Sequence, residues 1–161
     1  METEFQKATH ADVEELLPLM RGLYEHDRLP FDEAATRVAL ERLLEDERLG
    51  GVWLIKSGAS AVGYIVLAFG YSLEFRGRDA FLDELYLRPE ARGRGTGRKA
   101  LEFVEGVCRS QGVRALHLEV ERANTGAQAL YRKSGFVDHD RYLMTKWVEG
   151  KDEGEAVASS Q

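Results

Sequence analysis

Three glycines at alternate positions, Gly93, Gly95 and Gly97, form the pattern in this sequence that most directly indicates chemistry. Five basic residues lie around them: Arg88, Arg92, Arg94, Arg98 and Lys99. Glycine leaves backbone amides open to a ligand and adopts turn dihedrals that other residues avoid. A loop of this kind that leads into a helix binds anions through its amides and the helix N-terminus. The stretch therefore predicts a site for a polyanionic group, with a pyrophosphate as the best candidate.

Apolar segments on both sides of the loop predict the elements that position it. Residues 81–87 have the composition of a strand, and the spacing of apolar residues predicts a helix over 97–110. A further strand is predicted over 113–120. A strand, a helix and a second strand of this length form a right-handed parallel crossover.

Two other phosphate-binding motifs fit the loop less well. A Walker A loop requires Gly-Lys followed by Ser or Thr, whereas residues 97–100 read Gly-Arg-Lys-Ala. The dinucleotide fingerprint G-x-G-x-x-A matches residues 95–100, with Glu119 or Glu121 about 20 residues later. The first glycine of that fingerprint belongs directly after a strand, but here five residues, including Pro89, separate Leu87 from Gly93, the first glycine of the loop. Only one parallel crossover is available, which also argues against a dinucleotide fold.

The loop and a block downstream of it resemble one known family. Residues 92–97 match the pattern R/Q-x-x-G-x-G/A, and Asn124, Ala129-Leu130-Tyr131 and Gly135-Phe136 follow at the expected distance. Together these residues resemble the GCN5-related N-acetyltransferase (GNAT) superfamily. The resemblance implies a single domain over residues 1–148 with a mixed α/β (α+β) fold. Its central sheet would be mostly antiparallel, with one parallel, splayed strand pair and flanking helices.

The resemblance also implies an enzyme that transfers the acetyl group of acetyl-coenzyme A directly to a primary amine. The loop amides would hold the coenzyme A pyrophosphate: Arg92, Gly93, Arg94, Gly95, Thr96, Gly97 and Arg98. The preceding strand residues Leu85, Tyr86 and Leu87 would take the pantetheine arm. Splayed strands leave N–H and C=O groups unpaired, and an amide-bearing ligand can satisfy them. Asn124 would bind the cofactor, cap the helix that follows it, or do both.

Tyr131 matches the tyrosine that this family often uses as a general acid for the departing thiolate, and it would also contact the cofactor. A phenol has a reference pKa of roughly 10, so it is protonated at neutral pH and can donate. The alternative is a structural aromatic residue on the apolar face of a short helix.

The attacking amine must lose a proton, and the family often uses a strand carboxylate acting through water. Asp83 and Glu84 are the candidates for this general base. Strand alternation places them on opposite faces: Asp83 with Leu85 and Leu87, Glu84 with Tyr86 and Leu82. The sequence does not choose between them.

The acceptor site in this fold is shaped by the first two helices, their connector and the third and fourth strands. These segments carry carboxylates and aromatic residues: Tyr24, Glu25, Asp27, Tyr71, Glu74, Asp83 and Glu84. Such a rim favours a small cationic amine. A protein or peptide acetyltransferase acting on lysine or an N-terminus is the alternative, followed by a non-catalytic acyl-CoA-binding module. Dimerisation is common in the family, so a homodimer remains open.

The remaining elements follow from periodicity and turn residues. Helices are predicted over 11–26 and from Asp32 to about residue 46, and strands over 5–8, 52–56, 61–73, 136–137 and 141–148. Thr9 and Asp12 form a capping-box-like start for the first helix. Pro18 should kink that helix or divide it. Residues 149–161 have no core-forming pattern and are expected to be disordered.

Composition excludes several classes of protein. The chain of 161 residues has 22 basic and 28 acidic residues, a formal net charge of −6, which argues against general nucleic-acid binding. Its single cysteine, Cys108, excludes a disulfide framework and is expected to be a buried structural thiol. Four scattered histidines, among them His117, lack ligand spacing, so no metal is expected. Without an apolar leader or a membrane span, we expect a cytoplasmic protein that has no membrane partner.

Overall fold

A mixed five-stranded sheet organises the computed structural model, which describes residues 2–150. The strands are β1 Thr3–Lys7, β2 Gly50–Ser57, β3 Ser60–Ser72, β4 Gly77–Leu87 and β5 Ala115–His117. The helices are α1 Val13–His26, α2 Glu33–Glu45, α3 Thr96–Ser110 and α4 Thr125–Lys133, with 3-10 turns at His10–Asp12 and Pro89–Ala91. The sheet order is β1-β2-β3-β4-β5, antiparallel throughout except for the parallel pair β4 and β5. The predicted meander and crossover are confirmed.

Apolar side chains cover both faces of the sheet. One core layer packs α1 and α2 against the sheet, and its members include Leu16, Leu17, Leu40, Leu54 and Tyr64. The other packs α3 against the opposite face, and its members include Ile55, Ile65, Leu67, Leu82, Leu101, Val104 and Cys108. Alternation along each strand supplies both layers at once, because successive side chains point to opposite faces. Cys108 is a free, buried thiol, as expected.

The predicted helix starts are confirmed, but Pro18 does not divide the first helix. The Thr9 side chain and Asp12 form a complete capping box, and the Asp32 carboxylate accepts from the Ala35 N–H at 3.1 Å. Helix α1 runs without division through Pro18. The proline ring faces solvent, and the four apolar residues nearest to it are buried: Leu16, Leu17, Leu19 and Met20. Their burial offsets the hydrogen bond that proline removes.

The last predicted strands are wrong within the described residues. Strand β5 is limited to Ala115–His117, and residues 136–137 and 141–148 form no strand. A strand is stabilised by a hydrogen-bonded neighbour, and this segment has none within residues 2–150. Apolar composition alone therefore misled the prediction.

Three further predictions concern the C-terminal tail, membrane-spanning helices and metal sites. The predicted disordered tail lies outside the described residues from position 151 onward. Among residues 2–150, no helix has both the length and the apolar character that crossing a bilayer requires. In the same range, no group of His, Cys, Asp or Glu side chains is placed to hold a metal ion.

Candidate functional site

The site begins where β4 loses its parallel neighbour. Strand β5 pairs with β4 only from Asp79, opposite Ala115, to Phe81, opposite His117. Strand β3 continues beside β4 as far as Leu87. Residues 82–87 therefore have a paired edge toward β3 and an open edge toward β5. This is the predicted splay, and it leaves backbone donors and acceptors free for a ligand.

A β-bulge at Asp83 changes which side chains share a face. Leu67 lies opposite Leu82 and Val66 lies opposite Glu84, so Asp83 is the extra residue. Leu82 consequently packs in the α3 layer with Leu85 and Leu87, whereas Glu84 and Tyr86 face α1. The predicted grouping of Leu82 with Glu84 is therefore wrong, because simple alternation holds only in a regular strand.

The glycine loop has the backbone geometry of an anion site. Gly93 and Gly95 have φ values of 77° and 80°, in the left-handed region that favours glycine. Nothing lies within 4 Å of where a Cβ would stand on either residue. The Lys99 N–H makes a helical bond to the Gly95 carbonyl, and the N–H groups before it in the first turn have no intrahelical acceptor. These amides are therefore available to an external acceptor, such as an anion.

Gly97 has a different role from the other two glycines. Its φ is not positive, but an added Cβ would stand 3.3 Å from Leu130 Cδ2 on α4. The absent side chain thus lets the start of α3 approach α4 closely.

The Arg92 side chain ties the loop to the strand. Its Nε donates to the Leu87 carbonyl at 2.9 Å, and its guanidinium lies 5.7 Å from the centre of the Tyr86 ring. The Arg92 side chain therefore turns toward the strand, and we expect the loop to bind a ligand through its backbone amides.

Helix α4 supplies the two downstream residues of the motif. Asn124 caps the helix, with its Oδ1 accepting from the Ala127 N–H at 3.1 Å, which confirms the capping alternative. Tyr131 is partly buried and meets Phe136 edge-on, with ring centroids 6.0 Å apart. Burial, and then the charge of Asp27, raise the pKa of the Tyr131 phenol. The phenol is therefore kept protonated at neutral pH.

Glu84 is enclosed by two tyrosines. Tyr64 donates to one carboxylate oxygen at 2.8 Å and Tyr24 donates to the other at 3.0 Å. Desolvation raises the pKa of Glu84. The two hydrogen bonds oppose this rise, and the negative charges of Asp83 and Asp27 add to it. Both carboxylate oxygens therefore already have donors within the protein.

Asp83 is in a different environment, solvent-exposed at the bulge. Neighbouring protein atoms remove part of its hydration, and this desolvation raises its pKa. Desolvation, and then the charge of Asp83, also raise the pKa of Glu119, which follows β5. Asp83, Glu84 and Glu119 have no Lys or Arg ion-pair partner in residues 2–150, unlike the paired surface carboxylates such as Glu74. The splay is thus lined by negative charge that the protein does not neutralise.

Comparison with known proteins identifies the family. The family model described as "Acetyltransferase (GNAT) family" matches residues 17–136. The chain belongs to the GNAT family. Its members are acetyltransferases, so the protein is an enzyme of that class.

Relatives and solved structures agree with this GNAT assignment. The thialysine N-epsilon-acetyltransferase of Mus musculus is 27% identical over 96% of this chain and 95% of its own length. The Bos taurus protein of that name is 37% identical over 81 residues, 50% of this chain and 47% of its own length, so this match spans about half of that relative. An integron cassette protein from the Cole Harbour salt marsh metagenome has a TM-score of 0.81 and 35% identity, covering 91% of each chain. An aminoglycoside N-acetyltransferase in complex with CoA shares the fold, with a TM-score of 0.78 and 16% identity.

The GNAT site gathers some predicted acceptor residues and leaves others apart. Tyr24, Asp27, Asp83 and Glu84 influence one another electrostatically. Glu74 lies beyond the far end of β3. Its two carboxylate oxygens accept hydrogen bonds from the Arg141 guanidinium at 2.9 and 2.7 Å. Tyr71 pairs with Arg78, whereas Val66, five residues earlier on β3, pairs with Glu84. Tyr71 therefore lies roughly 15 Å along the strand from the position opposite Glu84.

Sequence reasoning missed two residues that lie close to the candidate carboxylates. Tyr64 is a fully buried tyrosine, and only the three-dimensional contact with Glu84 reveals its role. Glu119 was considered only as part of a dinucleotide fingerprint. His117 is a satisfied, partly buried residue, with Nε2 3.1 Å from Asp79 Oδ2 and its ring close to those of Phe75 and Phe81.

Proposed function

We propose that the chain transfers the acetyl group of acetyl-CoA to a primary amine of a small cationic molecule. The observation that carries this proposal is the open edge of β4, which leads directly into the glycine loop beside carboxylates without cationic partners. An edge with free amide groups suits the pantetheine arm, and the loop amides suit a pyrophosphate. The carboxylates suit an ammonium group.

The residues present fit acetyl-CoA. The backbone of Leu85, Tyr86 and Leu87 belongs to the strand with the open edge, and the free N–H groups of Thr96, Gly97 and Arg98 begin α3. Bound acetyl-CoA supplies an activated thioester carbonyl. A strand amide near Leu85 would donate to the carbonyl oxygen as negative charge develops there. Asn124 keeps its amide nitrogen available for the cofactor while its oxygen caps α4.

The acceptor is proposed to be cationic because Asp83, Glu84 and Glu119 surround the splay without basic partners. An amine enters as its ammonium form, is attracted by this charge, and must then lose a proton to expose a lone pair. The mouse relative is named for thialysine. An amino compound with a second charged group is therefore the first class to test.

Asp83 is the proposed general base, acting through water, and its replacement by asparagine gives a testable prediction. We expect Asp83→Asn to lower kcat/KM at neutral pH by about 10²–10⁴-fold, since this is the usual range for general acid–base catalysis. Because Asp83 must be deprotonated to act and its pKa is raised, the wild-type rate should rise with pH through a midpoint above the ordinary value of a free aspartate. The variant should lose that dependence.

Glu84→Gln is the matched control, one residue away. Its hydrogen bonds to Tyr24 and Tyr64 make Glu84 a positioning residue, so the variant should keep the pH dependence due to Asp83. The wild type and both variants are assayed with the same amine. The ionisation of that amine then contributes equally to all three pH profiles. A pH profile that loses its carboxylate limb in Glu84→Gln and keeps it in Asp83→Asn would reverse the assignment.

The proposed function is tested by following release of the coenzyme A thiol from acetyl-CoA with a panel of amines. The panel contains thialysine, polyamines, aminoglycosides, neutral monoamines and lysine-containing peptides. We expect amine-dependent thiol release that is fastest with small cationic amines. Faster turnover of peptides would favour the protein acetyltransferase alternative, and acetyl-CoA binding without any turnover would favour a non-catalytic module.

A further inference from the structure

Asp83 lies at the bulge, where strand pairing does not fix the direction of its side chain. It is the extra residue between Leu82 and Glu84, so it has no cross-strand partner in the sheet. Its two neighbours are held on opposite faces of the sheet. Leu82 is buried in the α3 layer, and Glu84 faces α1. The position of Asp83 therefore depends on how firmly Leu82 and Glu84 are held.

Two tyrosine hydroxyls hold the Glu84 side chain. Tyr64, a fully buried residue of β3, donates to Oε1 at 2.8 Å, and Tyr24, in the last turn of α1, donates to Oε2 at 3.0 Å. Hydrogen bonds to an ionised acceptor are short and strong, and a buried carboxylate oxygen without a donor is costly. Because the two donors belong to different elements, Glu84 keeps both hydrogen bonds only in one position between the helix and the sheet.

Tyr24 also contacts the connector between α1 and α2, one of the segments expected to shape the acceptor site. The Leu29 N–H donates to the Tyr24 carbonyl at 2.8 Å. The Phe31 ring packs edge-on against the Tyr24 ring, with centroids 5.2 Å apart. The connector thus folds back onto the helical turn that supplies the Tyr24 hydroxyl. A single hydrogen bond then joins this turn to Glu84, next to the bulge.

We propose that Tyr24 and Tyr64 are positioning residues for deprotonation of the amine, because through Glu84 they hold the bulge in the geometry in which Asp83 receives the proton. An N–H bond of the ammonium group breaks, its proton passes through water to the Asp83 carboxylate, and the nitrogen keeps the electron pair that attacks the thioester carbonyl. Both phenols keep their own protons and act through Glu84 alone. This inference rests on the proposed function and on Asp83 as its general base.

Removing either hydroxyl tests the inference. Tyr24→Phe and Tyr64→Phe each leave one Glu84 oxygen without its donor, and Tyr24→Phe retains the ring that packs against Phe31. Glu84 can then move, and the bulge with it. With the fastest amine of the panel at neutral pH, we expect each variant to lower kcat/KM by about 10–100-fold, since a displacement of about 1 Å at a reacting group can cost about 10²-fold.

A second amine separates positioning of the base from general damage. It is an analogue of the first amine in which fluorine on the neighbouring carbon lowers the ammonium pKa below the assay pH, so it arrives largely as the free base. Both tyrosine variants should then approach the wild-type rate, and Asp83→Asn should show the same dependence on the amine. The defect with the parent amine should also narrow as the pH is raised toward the pKa of that amine.

Tyr71→Phe is the matched control, since it removes an exposed phenol away from the splay and should keep wild-type rates with both amines. Melting temperatures and titration with coenzyme A check that each variant is folded and binds the cofactor. If the buried Tyr64→Phe substitution unfolds the protein, the partly buried Tyr24→Phe decides the question alone.

Wild-type rates in Tyr24→Phe, or equal losses with both amines, would overturn the inference. If Asp83→Asn shows the dependence on the amine and the tyrosine variants do not, this inference fails and the proposed function stands. A wild type that releases no thiol with any amine removes the proposed function and this inference together.

Discussion

Replacing Tyr131 by phenylalanine is expected to lower kcat by about 10²–10⁴-fold, the usual contribution of a general acid. The departing thiolate needs a proton, and the phenol holds one because burial and the charge of Asp27 raise its pKa. Phenylalanine retains the edge-on contact with Phe136 but cannot donate. Steady-state thiol release at saturating acetyl-CoA measures the effect.

Tyr71→Phe is the matched control for this substitution. Tyr71 is an exposed tyrosine near the end of β3, away from the splay, so its replacement should leave kcat unchanged. Isothermal titration with coenzyme A should show near wild-type affinity for Tyr131→Phe, since a loss of affinity would indicate damage to the cofactor site. A Tyr131→Phe enzyme as fast as the wild type would remove Tyr131 from the mechanism.

The second large effect is expected at Gly95, where valine should weaken acetyl-CoA binding by about tenfold to a hundredfold. The left-handed φ of 80° costs a residue with a Cβ roughly 1–2 kcal/mol, and each 1.4 kcal/mol is a factor of ten in binding. In addition, the valine side chain would extend into the open space beside Gly95, where we expect the anion to bind. Calorimetric titration of acetyl-CoA measures the change.

Gly106→Ala tests whether any added side chain near α3 has the same effect. Gly106 lies within α3, its φ is not positive and nothing would contact the new Cβ, so binding should be unaffected. The helix should become slightly more stable, because alanine favours helix more than glycine does. Equal affinity in Gly95→Val and the wild type would show that the loop does not hold the pyrophosphate.

Local patterns in the sequence predicted the parts of the site that depend on local geometry. The glycine loop, the strand before it and the cap at Asn124 each follow from neighbouring residues, and each is present in the structure. The splay follows from topology, because a parallel crossover brings β5 beside β4.

Features that depend on distant contacts were not predictable in the same way. The bulge at Asp83 reverses the alternation of Leu82 relative to Glu84, and no residue type marks it. Tyr24 and Tyr64 reach Glu84 across 60 and 20 residues, so their joint role appears only in three dimensions. Residues 136–137 and 141–148 were predicted as strands because composition reports the tendency to pair, whereas a strand also requires a neighbouring strand, and none pairs with them within residues 2–150.

The close approach of Gly97 to Leu130 links the loop that is proposed to bind acetyl-CoA to the position of Tyr131. Leu130 precedes Tyr131 on α4, and Gly97 belongs to the first turn of α3, whose amides are proposed to bind the anion. The two helices thus approach each other closely at this point, so the proposed anion loop and the proposed general acid are positioned against one another. We expect a large side chain at Gly97 to press on Leu130, and through it to shift Tyr131, without removing the loop amides that are proposed to hold the pyrophosphate.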